Sequence, residues 1–229
     1  MKAEEQNLEI MRNKNNYNKW IYDNIKSCIG KNVLEIGAGL GSMTEYLVRK
    51  SKVVSTDISK KHITFLKNRF AKNRGYDAKL VDISKSTSGL NARYFDTVVC
   101  INVLEHIKED IKCLKNAYGL LPARGKIVLV LPAFPYAFGT IDVSDNHYRR
   151  YNKKILIQLK KIGFRIVKAR YMNFPGLIGW IWHGKILKLK VHKEGDLDLF
   201  NKLVPLFFFF EKIFFFLPGL SLIVVGEKK

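Results

Sequence analysis

Short apolar runs recur along the chain, and the stretches between them carry apolar residues at helical spacing. Runs rich in β-branched and aliphatic residues cover 33–36, 53–56, 78–81, 95–101 and 126–131. Such runs are typical of strands that are buried on both faces of a sheet. Helices are predicted between them over 43–49, 59–72 and 109–121. The alternation predicts an α/β fold with a doubly wound, mainly parallel sheet.

The last third of the chain continues this pattern but contains one unusual segment. A helix is predicted over 153–162, with Asn152 as its N-cap, and strands are predicted over 164–171 and 221–226. Between these strands, residues 173–219 are apolar and aromatic, with interspersed lysines. A helix is predicted over 206–217, with Pro205 at its first position. Its length of about 18 Å is too short for a bilayer core of about 30 Å, so we expect no membrane span.

The first strand runs directly into a glycine-rich turn. Gly37, Gly39 and Gly41 stand at alternate positions, so the backbone can turn sharply and approach a ligand that a Cβ would exclude. A strand, a glycine turn and a helix in this order build the nucleotide-binding crevice of α/β folds. The spacing differs from the dinucleotide pattern, in which the third glycine comes one residue later. Glu35 adds a carboxylate near the end of the strand.

Polar side chains also follow the next three predicted strands. Asp57, Asp82 and Asn102 each stand at a predicted carboxyl end. Ligands of doubly wound sheets bind outside those ends. Asp57 comes 20 residues after Gly37, where a carboxylate can accept hydrogen bonds from both ribose hydroxyls. We therefore predict one nucleoside-binding site at this edge of the sheet, with N-capping as a compatible role for Asp82.

Two motifs carry a resemblance to a known family. Residues 35–41 have the form E-x-G-x-G-x-G, and residues 103–106 read Val-Leu-Glu-His directly after the fourth strand. Together they resemble the motifs of class I S-adenosylmethionine-dependent methyltransferases of type 11/12. The resemblance covers about residues 16–162 and the last strand. It implies a seven-stranded Rossmann-like methyltransferase sheet, whose last strand is antiparallel and pairs with the sixth.

The resemblance further implies a single methyltransferase domain over residues 1–229. Residues 1–30 are expected to form an N-terminal helical cover, residues 31–172 and 220–229 the Rossmann-like core, and residues 173–219 an apolar helical insertion between the sixth and seventh strands. The insertion lies outside the general family pattern. Its helices either pack as core or as a homodimer interface, or they lie in a membrane interface with lysines against anionic lipid.

The implied cofactor is S-adenosylmethionine. In the family the glycine loop passes close to its amino-acid tail and ribose, while Glu35 helps to hold the ammonium and Asp82 with Ile83 meets the adenine. His106 is usually structural in relatives, and a role as a base is the alternative. For Tyr17, the alternative to cofactor contact is packing onto the sheet. The implied cofactor-binding residues are Tyr17, Glu35, Gly37, Ala38, Gly39, Gly41, Asp57, Ile58, Asp82, Ile83, Asn102, Val103 and His106.

A loop after the fifth strand is expected to overhang the transferred methyl group. The predicted catalytic residues in it are His147, Tyr148 and Arg150. His147 is the candidate base, because imidazole titrates near neutral pH; a loop histidine with satisfied hydrogen bonds is the alternative. Arg150 either holds an anionic group of the acceptor or pairs with an aspartate of its own loop. No metal site is predicted.

Composition narrows the function class further. With 229 residues and 47% hydrophobic content, the chain can form one domain with a full core. The net charge of +20 favours anionic surroundings, but the lysines are spread along the chain, so charge alone selects no partner. Cys28, Cys100 and Cys113 lack metal or redox spacing and indicate reduced thiols. The polar start indicates no signal peptide, so a cytoplasmic location is expected.

The expected function is methyl transfer to an oxygen or nitrogen of a lipid-linked or amphiphilic acceptor, with the protein bound peripherally at the cytoplasmic membrane face. The alternatives are a methyltransferase for a soluble small molecule, such as a quinone, sugar or amine, and a cofactor-binding protein without turnover. Nucleic acid is not an expected partner. The fourth strand is not followed by the N-P-P-Y or D-P-P-Y tetrad of enzymes that methylate nucleic-acid amines.

Overall fold

The computed structural model describes residue 9 and residues 13–189, 194–214 and 217–229. Within these residues the chain forms one sheet of seven strands. The strands are β1 (Asn32–Ile36), β2 (Lys52–Asp57), β3 (Tyr76–Leu80), β4 (Thr97–Ile101), β5 (Lys126–Pro132), β6 (Phe164–Met172) and β7 (Ser221–Lys228). Their spatial order is β3-β2-β1-β4-β5-β7-β6. The order reverses beside β1, where doubly wound sheets bind ligands.

The first five strands run parallel, and the last strand runs against its neighbours. β1 pairs in parallel with β2 and β4, and the same holds for β2 with β3 and β4 with β5. β7 pairs antiparallel with both β5 and β6. The seven-stranded Rossmann-like sheet with an antiparallel last strand is therefore confirmed. The central strands read as nearly continuous apolar runs because helices cover both of their faces.

Eight α-helices surround this sheet in the described part of the chain. They are α1 (Asn15–Ile25), α2 (Thr44–Leu47), α3 (Lys60–Arg69), α4 (Asp110–Leu120), α5 (Thr140–Ser144), α6 (Ile155–Ile162), α7 (Phe174–Ile181) and α8 (Glu194–Ile213). Residues of α4 and α6 pack with Ile127 and Leu129 in one buried cluster. Residues of α1 and α8 pack with Val128 and Val130 in another. Because side chains alternate along β5, the two clusters lie on opposite faces of the sheet.

Local caps explain several helix boundaries. The Ser59 hydroxyl accepts a hydrogen bond from the backbone N–H of His62, so Ser59 caps α3. Asn173 caps α7 by accepting from Gly176 N, with a positive φ of 70°. Asn152 accepts from Lys154 N, whereas α6 begins only at Ile155. α2 is also shorter than predicted and covers only Thr44–Leu47.

The prediction for α8 was wrong at its start. Pro205 was expected at the first position of a helix over 206–217, but α8 begins at Glu194 and Pro205 lies inside it. An internal proline leaves the carbonyl four residues earlier without its helical donor. Here that carbonyl belongs to Asn201, and it accepts a hydrogen bond from Asn16 Nδ2 at 3.0 Å. A contact with the N-terminal region thus satisfies the carbonyl. The predicted N-terminal helical cover over residues 1–30 and the predicted helix over 206–217 both extend into residues outside those described.

α8 presents apolar side chains on two faces. Val204 is buried, and Phe200 packs with Tyr17 of α1. A second face is exposed at helical spacing and forms the apolar stripe, namely Leu199, Leu203, Leu206, Phe210 and Ile213. No candidate membrane span is found among the helices that the structure describes. The division of residues 1–229 into a cover, a core and an insertion stays a prediction.

Candidate functional site: a cavity at the carboxyl ends of the strands

A cavity of about 420 Å³ opens at the carboxyl ends of β1 and β4. Its volume falls within the range of small-molecule sites. The cavity has two ends, which we name the strand end and the loop end. The strand end is lined by Glu35, the 36–40 turn, Asn102 and α1; the loop end is lined by Glu105, His106, His147, Arg150 and parts of α7 and α8.

The glycine turn shapes the strand end. Gly37 has a φ of +68°, and a Cβ there would lie 2.5 Å from both methyl carbons of Val103. Gly41 has a φ of +79°, and a Cβ would meet Phe70 at 2.8 Å. The backbone N–H groups of Gly37 and Ala38 both donate to the carbonyl of Thr56. The turn is therefore fixed against β2 and has no room for side chains at two of its glycines.

Glu35 places a buried carboxyl beside this turn. Oε2 accepts hydrogen bonds from the Thr44 hydroxyl at 2.6 Å and the Ser55 hydroxyl at 2.7 Å. Burial raises the pKa of the Glu35 carboxyl above its ordinary value, although both hydroxyls act in the opposite direction. Since Glu35 lines the cavity, a cationic group of a ligand there would favour the ionised form.

Asp57 binds the turn from the neighbouring strand. Oδ2 accepts from Gly39 N at 2.8 Å, while Oδ1 accepts from Ser59 N at 2.8 Å and lies 3.2 Å from His62 Nδ1. Burial alone would raise the pKa of Asp57, but these three groups hold it below its ordinary value. Asp57 is not among the residues that line the cavity. Its role toward a ribose stays a prediction.

The other predicted cofactor residues fall into two groups. Tyr17, Ala38, Gly39, Asn102 and His106 line the cavity together with Glu35 and Gly37. The second group does not line it and comprises Gly41, Asp57, Ile58, Asp82, Ile83 and Val103. Ile58 is 76% exposed, whereas Ile83 is buried in the core.

Asp82 is engaged by its own loop. Its Oδ1 accepts from the backbone N–H and the hydroxyl of Ser84, and Oδ2 lies 3.2 Å from Lys85 Nζ. Burial by itself would raise the pKa of Asp82, but these groups hold it below its ordinary value. Contact of Asp82 and Ile83 with an adenine stays a prediction.

One buried aspartate organises the loop end. Asp142 is fully buried, and Oδ1 lies 2.7 Å from Arg150 Nε and 2.8 Å from His147 Nδ1. Oδ2 accepts from Gly139 N at 2.9 Å and from Trp180 Nε1 at 3.1 Å. Burial alone would raise the pKa of Asp142, but His147, Arg150 and Gly139 together lower it below its ordinary value. A single carboxylate therefore joins the loop after β5 to α7.

The three predicted catalytic residues occupy different places. His147 lines the cavity, and Asp142 fixes its ring. Arg150 also lines the cavity, but its guanidinium bonds Asp142 and the Ala133 carbonyl and stacks 4.4 Å from the Trp180 ring. This pairing within the loop is the alternative role that the sequence allowed. Tyr148 is 57% exposed and does not line the cavity.

Two neighbouring residues after β4 carry displaced pKa values. Glu105 is 1% exposed, and burial raises the pKa of its carboxyl to about 7. Burial, assisted by His147, lowers the pKa of His106 to about 4. The rings of His106 and His147 meet edge to face, with their centroids 4.6 Å apart. Displaced pKa values of buried groups in a cavity are a common mark of functional sites.

Sequence reasoning missed part of the loop end. Glu105 was considered only as part of the Val-Leu-Glu-His motif and was not predicted as a site residue, although its position beside His106 indicated the same edge of the sheet. Asp142 was weighed only as a partner of the loop arginines. Trp180 and Asn173 were not predicted as site residues, and they reach the cavity through α7. No local pattern in the sequence predicts that Trp180 and Asn173 contact the cavity.

The strand end fits the cofactor that the resemblance implied. A nucleoside with an amino-acid tail that carries an ammonium group needs a turn without side chains, a buried acid and polar groups at strand ends, and these are the features of this end. The turn residues 37–39, Glu35 and Asn102 would hold S-adenosylmethionine. When bound, this cofactor supplies an electrophilic methyl group on a sulfonium.

A family model described as a methyltransferase domain matches residues 34–127. The ubiquinone biosynthesis O-methyltransferase of Coxiella burnetii is 29% identical over 102 residues, which cover 43% of this chain and 42% of that protein. The chain therefore spans less than half the length of this curated relative. The region matched by the family model begins within β1 and contains the glycine turn, Asp57 and the segment after β4.

Solved structures share the fold over most of the chain. A SAM-dependent methyltransferase from Archaeoglobus fulgidus has a TM-score of 0.62 at 18% identity, covering 92% of this chain and 94% of that one. The N-methyltransferase NodS from Bradyrhizobium japonicum, in complex with S-adenosyl-L-homocysteine, has a TM-score of 0.57 at 12% identity, covering 92% and 84%. At these identities the likeness shows the fold.

Proposed function

We propose that the chain is a class I S-adenosylmethionine-dependent methyltransferase, consistent with the family-model match over residues 34–127, and that it moves a methyl group from this cofactor to an oxygen or nitrogen of an amphiphilic acceptor. One observation supports this most strongly. A single cavity joins the glycine turn and Glu35 to a histidine held by a buried aspartate, so a methyl donor and an acceptor can meet inside it.

Methyl transfer is an in-line displacement at carbon. The acceptor's oxygen or nitrogen forms a bond to the methyl carbon, the sulfur–carbon bond breaks, and its electron pair stays on sulfur. The acceptor must also lose a proton when it is a hydroxyl or an ammonium. His147 is the candidate to take that proton, because Asp142 Oδ1 lies 2.8 Å from its Nδ1 and leaves Nε2 as the basic nitrogen.

The walls of the loop end support an acceptor with an apolar part. Pro175 and Trp180 of α7 and Leu197 and Phe200 of α8 line the cavity. The same α8 carries the apolar stripe on its outer face. Trp182 is also exposed, at 52%. A helix that lines a cavity on one side and exposes apolar residues on the other suits a protein that takes its acceptor from a membrane surface.

Charge supports the same acceptor source. The chain has a net charge of +20, and Lys185, Lys188 and Lys202 are exposed near the apolar stripe in sequence. Basic residues next to an exposed apolar surface favour anionic lipid over a neutral surface. We therefore propose a peripheral position at the cytoplasmic membrane face, with the acceptor drawn from the lipid layer.

A small-molecule acceptor in solution is the second candidate. The Coxiella burnetii relative is named a ubiquinone biosynthesis O-methyltransferase, which fits an acceptor with a hydroxylated ring. A hydroxylated ring without a tail would also fill the cavity but would not need the apolar stripe. The two candidates therefore differ in whether the acceptor is taken from lipid or from water, and both use the same methyl transfer.

Transfer of labelled methyl groups tests the proposal. Purified protein is incubated with S-adenosylmethionine labelled in its methyl group and with a cell extract divided into lipid and aqueous fractions. We expect the label in the lipid fraction, and at least tenfold less with the His147→Gln variant. Label only in the aqueous fraction would favour the small-molecule candidate. Absence of label in both fractions, with the cofactor bound, would favour a cofactor-binding protein without turnover.

A further inference from the structure

Three donor side chains converge at the loop end of the cavity, namely Glu105, His106 and His147. One donor atom of each lies within 4.8 Å of the others. Two parts of the chain bring them together. Glu105 and His106 share a short 3₁₀ turn after β4. The backbone N–H of Tyr148 donates to the Glu105 carbonyl at 2.8 Å, which holds the neighbouring His147 against that turn.

Hydrogen bonds leave a lone pair on each imidazole. Asp142 can only accept, so the 2.8 Å contact with His147 Nδ1 puts the proton on Nδ1 and the lone pair on Nε2. The backbone of Asp145 hydrogen-bonds the His106 ring, while no described group is bonded to the buried His106 Nδ1. Metal-binding histidines have this arrangement, with one nitrogen donating to a carboxylate or carbonyl and the other nitrogen on the metal.

Glu105 supplies an oxygen without a partner. Its side chain is almost fully buried, and Oε2 has no hydrogen-bond partner among the described residues. Buried carboxylate oxygens are ordinarily hydrogen-bonded or paired with a cation. The nearby Arg150 does not serve, because its guanidinium bonds Asp142 and Ala133. The unpartnered oxygen and the two imidazole lone pairs therefore belong to three side chains that each place a donor atom within 4.8 Å of the others.

We propose that Glu105, His106 and His147 bind one divalent transition-metal ion. Two imidazoles and a carboxylate are a donor set of zinc, iron and manganese sites, whereas Mg²⁺ prefers oxygen ligands and retained water. Bonds of about 2.1 Å require donor atoms closer together than the 4.8 Å limit within which these three lie, so binding of an ion would draw the side chains together. Asp142 then orients His147 as the outer carboxylate of the site. This departs from the sequence analysis, which predicted no metal site.

The site deepens the proposed function and rests on it for its chemical role. Three protein ligands leave coordination positions for an acceptor oxygen. An ion at this place would lower the pKa of an acceptor hydroxyl and hold the oxygen near the methyl group. Since His147 Nε2 then binds the ion, the acceptor hydroxyl would release its proton to water instead of to His147, and its oxygen would bond the methyl carbon as the sulfur–carbon bond breaks. The acceptor class narrows to hydroxyl compounds, such as phenols.

Metal titration tests the site without reference to activity. Purified protein is stripped with a chelator and titrated by calorimetry with Zn²⁺, Mn²⁺ and Mg²⁺, and with Co²⁺ by visible absorption. We expect one equivalent of Zn²⁺ or Mn²⁺ per chain, weaker binding of Mg²⁺, and Co²⁺ absorption bands. Glu105→Gln and His147→Gln should each weaken binding at least tenfold. His62→Gln, which changes a histidine outside the cluster, should bind as the unmodified protein does.

The outcomes separate this site from the proposed function. Circular dichroism first establishes that each variant is folded. Binding that is absent, or that persists equally in Glu105→Gln and His147→Gln, would overturn the metal site. A titration of the same stripped protein with S-adenosyl-L-homocysteine tests the methyltransferase proposal separately. Heat with the nucleoside but not with any metal would retain the proposed function and reject the ion.

Discussion

The two ends of the cavity are built by different means. At the strand end, backbone hydrogen bonds and tight glycines fix a turn between β1 and β2. At the loop end, one buried carboxylate, Asp142, joins His147, Arg150 and Trp180. The first end is a consequence of sheet topology, whereas the second depends on a single charged group. The strand end should therefore tolerate changes to individual polar side chains better than the loop end.

Breaking the loop end should have the largest effect on stability. Asp142→Asn removes the charge opposite Arg150, which is almost fully buried. An unpaired buried cation costs about 3 kcal/mol or more. We expect a loss of about that size in the free energy of unfolding, measured by urea titration. Glu227→Gln is the control, because its partner Arg165 is 63% exposed, and it should cost about 1 kcal/mol or less. Equal losses of unfolding free energy in the two variants would contradict the contrast between the buried and the exposed ion pair.

Breaking the strand end should act on the cofactor. Gly37→Ala forces a Cβ against Val103 at a φ of +68°, so the turn must move. We expect affinity for S-adenosyl-L-homocysteine to fall at least tenfold, or about 1.4 kcal/mol, by calorimetry. Gly119→Ala is the matched control, since no described atom lies within 4 Å of its Cβ in α4. Unchanged affinity in Gly37→Ala would remove the turn from the site.

The apolar stripe sharpens the comparison, because it lies on α8, which also lines the loop end of the cavity. The double variant Leu206→Glu with Phe210→Glu replaces side chains that are 51% and 48% exposed. Flotation with anionic vesicles should drop several-fold, consistent with a loss of about 1–2 kcal/mol. Ile157→Glu, equally exposed on α6 across the sheet, should float as the unmodified protein does. Equal flotation of all three proteins would count against lipid contact by α8.

The contribution of Asp57 at the strand end to the free energy of unfolding should depend on pH. The folded-state pKa of Asp57 is lowered, so its carboxylate stabilises the fold above the unfolded pKa of about 3.9. That contribution is lost as pH falls through the lower, folded value. The difference in unfolding free energy between the unmodified protein and Asp57→Asn should therefore be constant near pH 5 and shrink toward pH 3. A difference that grows on acidification would reverse this assignment.

The sequence predicted the strand end because simple rules govern it. Apolar runs identified β1, β2 and β4, and parallel strands bring Gly37, Glu35 and Asn102 to one edge. The antiparallel β7 came from the family resemblance, since the pattern of 221–226 alone does not give direction. The fold was therefore predictable from local pattern together with one resemblance.

The loop end and α8 depend on contacts between distant segments. Asp142 and Trp180 are 38 residues apart, and nothing local marks them as partners. α8 continues through Pro205 because Asn16 donates to the carbonyl of Asn201, 185 residues away. Such tertiary contacts override local propensity, so periodicity alone placed the start of α8 too late.

The central claim is that the strand end binds the adenosine and amino-acid tail shared by S-adenosylmethionine and its demethylated product, through the glycine turn and Glu35. Calorimetric titration of the purified protein with S-adenosyl-L-homocysteine tests it most directly. We predict saturable heat with one site per chain, retained in Gly119→Ala and at least tenfold weaker in Gly37→Ala. A protein that is folded by circular dichroism yet gives no heat on titration would contradict the account.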